Sequence, residues 1–385
     1  MHVSCCVAFC WNARMHEVAG LRILIVVSSD FGDLGTAMYM FEGTGISAQL
    51  LLPARLHQQN SQLAPHKVSA YSGAAQLLEK IRDYQPQLLL LMTGVNSLLS
   101  MVDLQLILQQ ARSMGIPVAT TDPLLGETLS VENFHPLGWT KEMFQRAAAM
   151  QNCLRGVHHL YLSPMQCSQF AHSFFNSRVV ISKEQKTVMF EGLHHGQCKL
   201  VSLQWLFVIS KTDYQLQCAL HGRLAFDEML LVKIQQSLGA KRQPVLLAPP
   251  EACQSLRGGV SGNVVLMPFC GYEQFRALLI TAEHVFYWNV MSNSVLLRIV
   301  NGGSVFFMDT GHLARYMPVL VPLAMKSYYA NAQLPMLGPQ QVLDAVDLAD
   351  RARFQPETFS PARAALQDLP SPEALLALLC GVAGA

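Results

Sequence analysis

The chain has 385 residues, of which 51% are hydrophobic and 14% are charged. A chain of this length exceeds one ordinary hydrophobic core and predicts two domains of roughly 150–200 residues each. Its 27 Lys and Arg residues are balanced by 26 Asp and Glu residues, so the sequence lacks the basic field that nucleic-acid binding requires. No apolar run approaches the ~20 residues of a membrane-spanning helix, so no transmembrane segment is predicted.

The ten cysteines are scattered along the chain and form no C-x-x-C pair of the kind that binds metals. Scattered thiols are typical of a reducing compartment, so a cytoplasmic protein is predicted. Two histidine pairs, His158-His159 and His194-His195, are possible metal ligands by residue type. Adjacent side chains of a strand point to opposite faces, however, so neither pair is expected to hold one ion. No metal site is predicted.

Strands and helices alternate through the first half of the chain. Residues 1–20 lack the basic start and the clean cleavage site of a secretory signal, and we interpret them as an N-terminal extension. The predicted elements that follow are strands at 22–27, 48–53, 87–92, 115–120 and 158–162, and helices at 34–41, 73–83, 101–113 and 140–154. This alternation predicts a parallel sheet covered by helices on both faces.

The second half repeats this architecture after a polar, irregular stretch at 164–199. The predicted elements are strands at 203–209 and 244–248, a loop at 210–217, a helix at 223–238, a strand-helix-strand-helix-strand unit at 264–309, and closing helices at 339–349 and 371–379. We therefore predict an α/β protein with a Rossmann-like domain at 21–198 and a second at 199–385.

A run of small polar residues follows one strong strand of the second domain. It extends from Asn289 through Ser292, Asn293 and Ser294, between the predicted strand 285–288 and a helix. Parallel sheets bind phosphates at such junctions, because free backbone N–H groups and the helix dipole point toward the ligand. Ser and Asn are also ordinary helix caps, but three in a row exceed what one cap requires. Phosphate binding is the functional hypothesis for this run.

Two successive Rossmann-like domains, with polar strand ends concentrated in the second, resemble the GT-B class of glycosyltransferases. The resemblance covers the order of elements from about Arg22 onward and is sharpest over 264–309. It implies two parallel sheets facing a central cleft, with the acceptor on the first domain and a nucleoside-diphosphate sugar on the second. It also implies sugar transfer to an acceptor of unknown kind, without a metal or another cofactor.

The resemblance assigns a set of donor-binding residues in the second domain. They are Lys211, Arg223, Phe269, Tyr272, Asn289, Ser292, Asn293, Ser294, Asp309 and His312. The two cationic side chains would neutralise the diphosphate, and an aromatic ring would stack on the base. Solvated surface charges and helix caps are the competing interpretations of the same residue types.

One departure from the resemblance concerns the ribose. Many nucleotide-sugar enzymes carry a glutamate in the helix after the phosphate-binding serine, whereas residues 295–298 of this chain include no carboxylate. Asp309 or Glu273 would then hold the ribose, or the donor is unusual, or the site is degenerate. Two alternative functions follow from this departure and from the architecture: a nucleotide-sugar epimerase, and a catalytically inactive GT-B-like binding or scaffold protein.

Sugar transfer with inversion requires a general base for the acceptor hydroxyl. Asp33 and Asp30 follow the first predicted strand, and Asp122 follows another, so all three lie where a parallel sheet presents functional side chains. Asp33 is the first choice among them. An aspartate at such a position is equally typical of a helix cap or a turn.

Overall fold

A computed structural model of the chain describes residues 20–28, 31–60, 63, 66–92, 99–121, 140–165, 169–195, 198–200, 203–260, 262–268, 270–338 and 340–381. These residues form two compact units. The first unit takes its described residues from 1–135, 139–179 and 366–385, and the second takes them from 180–365.

The first unit contains a seven-stranded sheet in which every pairing is parallel. Its strands are β1 (Ile23–Val26), β2 (Ala48–Pro53), β3 (Lys67–Tyr71), β4 (Leu88–Leu91), β5 (Val118–Thr120), β6 (His158–Tyr161) and β7 (Ala171–Ser173). Their spatial order is β3-β2-β1-β4-β5-β6-β7. The adjacent strands β1 and β4, ILIV and LLLL, are buried along their whole length, as expected for strands covered on both faces.

The helices of the first unit follow the predicted alternation. They are α1 (Phe31–Phe41), α2 (Ala54–Gln59), α3 (Ala74–Tyr84), α4 (Met101–Ser113) and α5 (Lys141–Cys153), with a 3₁₀ turn at Ser177–Val179. Strand β3 was not predicted, because its sequence KVSAY has no fully buried residue and it lies at the edge of the sheet. A partly exposed edge strand carries little apolar periodicity.

The second unit contains a five-stranded parallel sheet and a short antiparallel pair. The pair is β8 (His194–His195) with β9 (Cys198–Lys199), and the sheet strands are β10 (Gln204–Val208), β11 (Gln243–Leu247), β12 (Val265–Met267), β13 (His284–Tyr287) and β14 (Ser304–Phe307). The spatial order of the sheet is β12-β11-β10-β13-β14.

Helices cover this second sheet. They are α6 (Lys183–Glu191), α7 (Lys211–His221), α8 (Arg223–Gly239), α9 (Pro250–Leu256), α10 (Tyr272–Thr281), α11 (Asn293–Val300), α12 (His312–Tyr316), α13 (Leu320–Tyr329) and α14 (Ala345–Thr358). The chain ends its described part with α15 (Ser360–Gln367) and α16 (Pro372–Leu379). None of the helices in the described ranges is long and apolar enough to cross a membrane.

One face of the second sheet is built from stacked aromatic rings. The rings of Phe207 and Phe286, on neighbouring strands, are 4.8 Å apart and stacked, and Phe286 lies 5.7 Å from Phe306 on β14. Trp205 and Trp288 are buried in the same cluster. Each such side chain contributes roughly 1.5–3 kcal/mol by leaving water, so these rings hold the strands that carry the candidate site.

The division between the units differs from the predicted domain boundary at 198/199. Helix α16 groups with the first unit, where Glu373 forms an ion pair of 2.6 Å with Arg178 and the Phe175 N–H donates to the Pro370 carbonyl. Residues 180–198 group with the second unit, where the Ile181 N–H donates to the Asn301 side chain over 3.0 Å. Contacts between residues so far apart in the sequence leave no periodic pattern of apolar residues, so the boundary could not be predicted from such a pattern.

Three predicted segments are wrong. The stretch at 164–199, predicted to be irregular, contains strand β7 (Ala171–Ser173) and helix α6 (Lys183–Glu191), which begins with a Ser182 capping box. Residues 210–217 form the start of helix α7 and not a loop, because Ser210 caps the helix by accepting from the Asp213 N–H at 3.0 Å. Its buried face includes polar side chains, which hid the helical period. The helix predicted at 339–349 begins only at Ala345, after the Asp344 cap, and continues to Thr358.

Candidate functional site

The candidate site lies at the carboxyl edge of the five-stranded sheet, where the direction of strand addition reverses. The chain builds β10, β11 and β12 outward on one side and then returns to place β13 on the other side of β10. Loops after two such strands diverge and leave a crevice, which is where open α/β sheets bind ligands. The residues that follow β10 and β13 therefore form the candidate site.

Helix α11 begins at this crevice without a capping side chain. Its N-cap residue is Ser292, which has an extended backbone and makes no side-chain cap bond. The Ser292 hydroxyl instead pairs with that of Ser294 at 2.8 Å, and the exposed Asn293 accepts from Tyr328 over 2.8 Å. The positive end of the α11 dipole is thus presented at the carboxyl edge, a position that favours an anion.

The loop after β14 is tied to α7 by an Asp-His pair. Oδ1 of Asp213 accepts from the His312 backbone N–H and lies against His312 Nδ1, both at 2.8 Å. Oδ2 of Asp213 accepts from the Ser210 hydroxyl at 2.6 Å. Because β13 lies between β10 and β14, this contact spans the end of β13, where the polar run begins.

Asp309 forms a second tie between the same two elements. Its side chain is 6% exposed and accepts five hydrogen bonds. The donors are Gln217 Nε2 (2.9 Å), Thr310 Oγ1 (3.3 Å), the Gly311 N–H (3.0 Å), and Arg315 Nε (3.1 Å) and Nη2 (2.6 Å). Burial alone would raise the pKa of Asp309, but the bonds from Arg315, Gly311 and Gln217 outweigh burial and hold that pKa below its usual value. With its lone pairs already occupied, Asp309 is suited to fixing the loop rather than to holding a ribose.

Replacing Asp309 by asparagine is expected to destabilise the protein by about 1–2 kcal/mol at neutral pH. A depressed carboxyl pKa stabilises the fold above the unfolded-state pKa, and this stabilisation is lost as the pH falls through the folded-state value. The difference between wild type and Asp309→Asn should therefore shrink in acid. Urea unfolding at pH 7 and in acid measures it, with Asp350→Asn on the exposed face of α14 as control. A difference that grows in acid would contradict the assignment.

Two buried polar atoms at this edge lack hydrogen-bond partners among the described residues. They are Nε1 of Trp288, directly after β13, and Oε1 of Gln217, on α7. Trp288 is 1% exposed and Gln217 is fully buried. Most buried polar groups in folded proteins are paired, so these two atoms are exceptions; the Trp288 ring itself packs on Phe207 and Phe226 in the core.

The loops after β13 and β14 pack closely at Gly311. This glycine has φ +89°, and a Cβ there would lie 2.7 Å from the Asn289 Cα. Asn289 in turn accepts from the Met291 N–H at 2.8 Å through its side chain. The predicted site residue Asn289 therefore packs against Gly311, the residue before His312.

The remaining predicted donor residues lie at different positions. Lys211 is exposed in the first turn of α7. Arg223, also exposed, starts α8, where it donates to the Glu251 carbonyl and faces Asp227 at 3.8 Å. Tyr272 begins α10 and is 4% exposed, which leaves little of its ring surface for stacking. Phe269 falls outside the described residues.

The predicted catalytic aspartates of the first unit are only partly described. Asp33 is buried in the first turn of α1 and accepts from the Ser28 N–H at 3.3 Å, which is the contact pattern of a helix-start aspartate. Asp30 and Asp122 lie outside the described residues.

Three residues of the edge were missed by sequence reasoning: Asp213, Gln217 and Arg315. Asp213 and Gln217 are four residues apart and share one face of α7, a signal that the loop prediction for 210–217 concealed. Arg315 lies on α12, which has about one and a half turns and is too short to show a helical spacing of apolar residues.

Arg298 lies in the part of α11 where the resemblance leads one to expect a carboxylate. Its buried guanidinium donates five hydrogen bonds, all to backbone carbonyls. The acceptors are Leu279, Ile280, Ala282, Glu283 and Ser304, at 2.6–3.2 Å. Burial lowers the pKa of Arg298 to about 10, so it stays charged at neutral pH and complements the negative end of α10. A carboxylate at this position would face those carbonyls and be repelled.

No protein-family model matches the sequence, and no curated protein matches it. Solved structures do match the fold. A spinosyn rhamnosyltransferase superposes with a TM-score of 0.50 at 13% identity, over 93% of this chain and 100% of that one. The chain has a GT-B fold.

Two other solved structures align at lower TM-scores. A UDP-glucosyltransferase from Polygonum tinctorium gives 0.49 at 11% identity, over 94% of this chain and 98% of that one. A UDP-GlcNAc 2-epimerase from Methanocaldococcus jannaschii gives 0.47 at 10% identity, over 93% and 99%. The predicted class, two Rossmann-like units with parallel sheets, is confirmed by the GT-B fold. The reaction does not follow from the fold alone.

Proposed function

We propose that this protein is a glycosyltransferase that uses a nucleoside-diphosphate sugar, with the diphosphate bound at the N-terminus of α11. The observation that carries the proposal is the position of this helix: it begins without a side-chain cap at the reversal point of a parallel sheet. The neighbouring α7 has its own cap in Ser210, so α11 is the better anion site of the two.

The proposal assigns roles to the residues around this point. Ser292, Asn293 and Ser294 would donate to the phosphate oxygens, and Lys211 and Arg223 would supply positive charge. Contacts of Phe269 and Tyr272 with the nucleobase, and transfer without a metal, are carried over from the sequence resemblance. Asp33, the sequence prediction for the general base, lies in the first turn of α1 in the first unit. A nucleotide-sugar epimerase would bind the same donor and would differ in releasing an isomerised sugar nucleotide instead of a glycoside.

Replacing Ser294 and Asn293 together by alanine is expected to weaken nucleotide binding about tenfold, because two polar side chains at the phosphates are lost. Isothermal calorimetry with UDP and with dTDP measures the affinity. Ser182→Ala is the matched control, since Ser182 caps α6 in the same unit with a complete capping box. Unchanged affinity in the double variant would refute the phosphate assignment.

A thermal-shift panel of UDP- and dTDP-sugars tests the ligand class. A bound donor raises the melting temperature by mass action. At a donor concentration about a hundred times the Kd, the free energy of unfolding increases by about 2.7 kcal/mol. Stabilisation followed by transfer or hydrolysis supports the transferase, and stabilisation followed by isomerisation supports the epimerase. Stabilisation without turnover supports an inactive binding protein, and no stabilisation by any donor contradicts nucleotide-sugar binding.

A further inference from the structure

Asp213 and His312 have the arrangement of a proton-transfer pair. His312 Nδ1 and the His312 backbone N–H both lie 2.8 Å from Oδ1 of Asp213, while Ser210 donates to Oδ2 over 2.6 Å. The Asp213 side chain is 2% exposed. Its carboxylate is therefore held on both oxygens and cannot rotate away from the imidazole.

The contact with Asp213 decides which nitrogen of His312 carries the proton. A carboxylate only accepts hydrogen bonds, so Nδ1 of the neutral ring is the donor and Nε2 holds a lone pair. Nε2 has no partner in the part of the chain that the structure describes, and the His312 side chain is 19% exposed. The unoccupied ring nitrogen is thus a proton acceptor within reach of solvent.

The pair lies beside the proposed diphosphate site. Asp213 is on the helix that follows β10, and His312 follows β14, so their contact crosses the end of β13. Helix α11 starts six residues beyond that end. Gly311, adjacent to His312, packs against Asn289 of the polar run. The imidazole and the N-terminus of α11 therefore belong to one edge.

The charged groups near this pair lie on α7 and on the β14 loop with α12. Helix α7 carries Asp213 and the exposed Lys211, and the β14 loop with α12 carries Asp309 and Arg315. Arg315 makes two hydrogen bonds to Asp309, so that pair is neutral as a unit. Asp213 is the one of these groups that contacts His312, and it stabilises the imidazolium that forms when the ring takes a proton.

We propose that His312 is the general base of the sugar transfer and that Asp213 is its positioning residue, an inference that rests on the proposed function. Nε2 takes the proton of the acceptor hydroxyl as the acceptor oxygen bonds to the anomeric carbon. The bond from that carbon to the β-phosphate oxygen breaks, and its electron pair leaves with the nucleoside diphosphate. His312 then releases the proton to solvent. The base thus lies in the donor-binding unit, in place of Asp33 of the first unit.

The kinetic test uses the UDP- or dTDP-sugar that gives the largest thermal shift, with water as acceptor. His312→Gln should keep nucleotide affinity within about threefold and lose turnover by about 10²–10⁴-fold, the usual contribution of a general base. Asp213→Asn should also lower kcat with little change in KM. The control is His221→Ala, at the exposed end of α7. The wild-type rate should fall toward acid, where a protonated base cannot accept the hydroxyl proton, and this fall should be absent in His312→Gln.

A spectroscopic test reads the His312 tautomer directly, first in the wild-type protein. Imidazole ¹⁵N NMR of the wild-type protein should show the His312 proton on Nδ1 and an unprotonated Nε2 in the neutral ring. Adding the donor nucleotide UDP or dTDP should leave this tautomer in place, and Asp213→Asn should shift it.

The outcomes separate the two proposals. If nucleotide binds and His312→Gln turns over as fast as wild type, or loses affinity without losing kcat, the base assignment is overturned while the transferase stands. A proton on Nε2 overturns the assignment as well. If no UDP- or dTDP-sugar binds the wild-type protein, the proposed function fails and the base assignment fails with it.

Discussion

Replacing Arg298 by methionine is expected to lower the free energy of unfolding by about 3–5 kcal/mol. The side chain is buried and its five N–H groups all donate to backbone carbonyls. Methionine fills similar volume but leaves the carbonyls of Leu279, Ile280 and Ala282 without these donors. Unpaired buried acceptors cost about 1–3 kcal/mol each before the surroundings relax.

Urea unfolding followed by circular dichroism measures this loss. Arg257→Met is the matched control, because Arg257 is an exposed arginine at the end of α9 and such surface changes stay within about 0.5 kcal/mol. Arg298→Lys should fall between the two, since an ammonium has three donors in place of five. Equal midpoints for Arg298→Met and Arg257→Met would show that the carbonyl cluster does not stabilise the fold.

Replacing Gly311 by alanine is expected to cost about 2–5 kcal/mol and to weaken nucleotide binding. Two terms add: a side chain at φ +89° is strained by about 1–2 kcal/mol, and overpacking costs typically about 1–3 kcal/mol. The second term arises because the new Cβ would meet the Asn289 backbone at 2.7 Å, which only a shift of one loop relieves. Such a shift would also move His312 and the polar run.

Gly222→Ala isolates the strain term. Gly222 has φ +81°, and a Cβ there meets no atom within 4 Å, so its replacement should cost about 1–2 kcal/mol without affecting nucleotide affinity. Chemical unfolding and calorimetry with UDP or dTDP on both variants supply the comparison. If the two glycines behave alike, the contact between the β13 and β14 loops does not shape the site.

Much of the fold was readable from apolar runs and their spacing. Strands such as β1 and β4 are wholly buried on both faces and appear as uninterrupted aliphatic segments. The edge strand β3 and helix α7 escaped, since each mixes polar residues into positions that face the protein. The local spacing of apolar residues indicates which positions are buried. Tertiary contacts hold β3 and α7, and that spacing does not reveal such contacts.

The candidate site was predictable only in part. The polar run that ends at Ser294 was identified because strand end and helix start are both local signals. The partners of His312 and Asp309 were not, since Asp213 and Gln217 lie 99 and 92 residues earlier in the chain. The hydrogen bonds of Arg298 were not predictable either. The sequence shows that residues 295–298 lack a carboxylate, but not that the Arg298 guanidinium donates to carbonyls at the end of the neighbouring helix α10.

These two ties across the sheet edge also bear on how the protein is made. During synthesis the Asp213 carboxylate leaves the ribosome long before its histidine partner, which is 99 residues further along. Until β14 has joined the sheet, the Asp213 carboxylate on α7 lacks its partner His312, although the folded unit buries this carboxylate. Nucleotide added to chains of increasing length should therefore protect them from proteolysis only once the segment through Arg315 is present, so ligand binding would report completion of the whole second sheet.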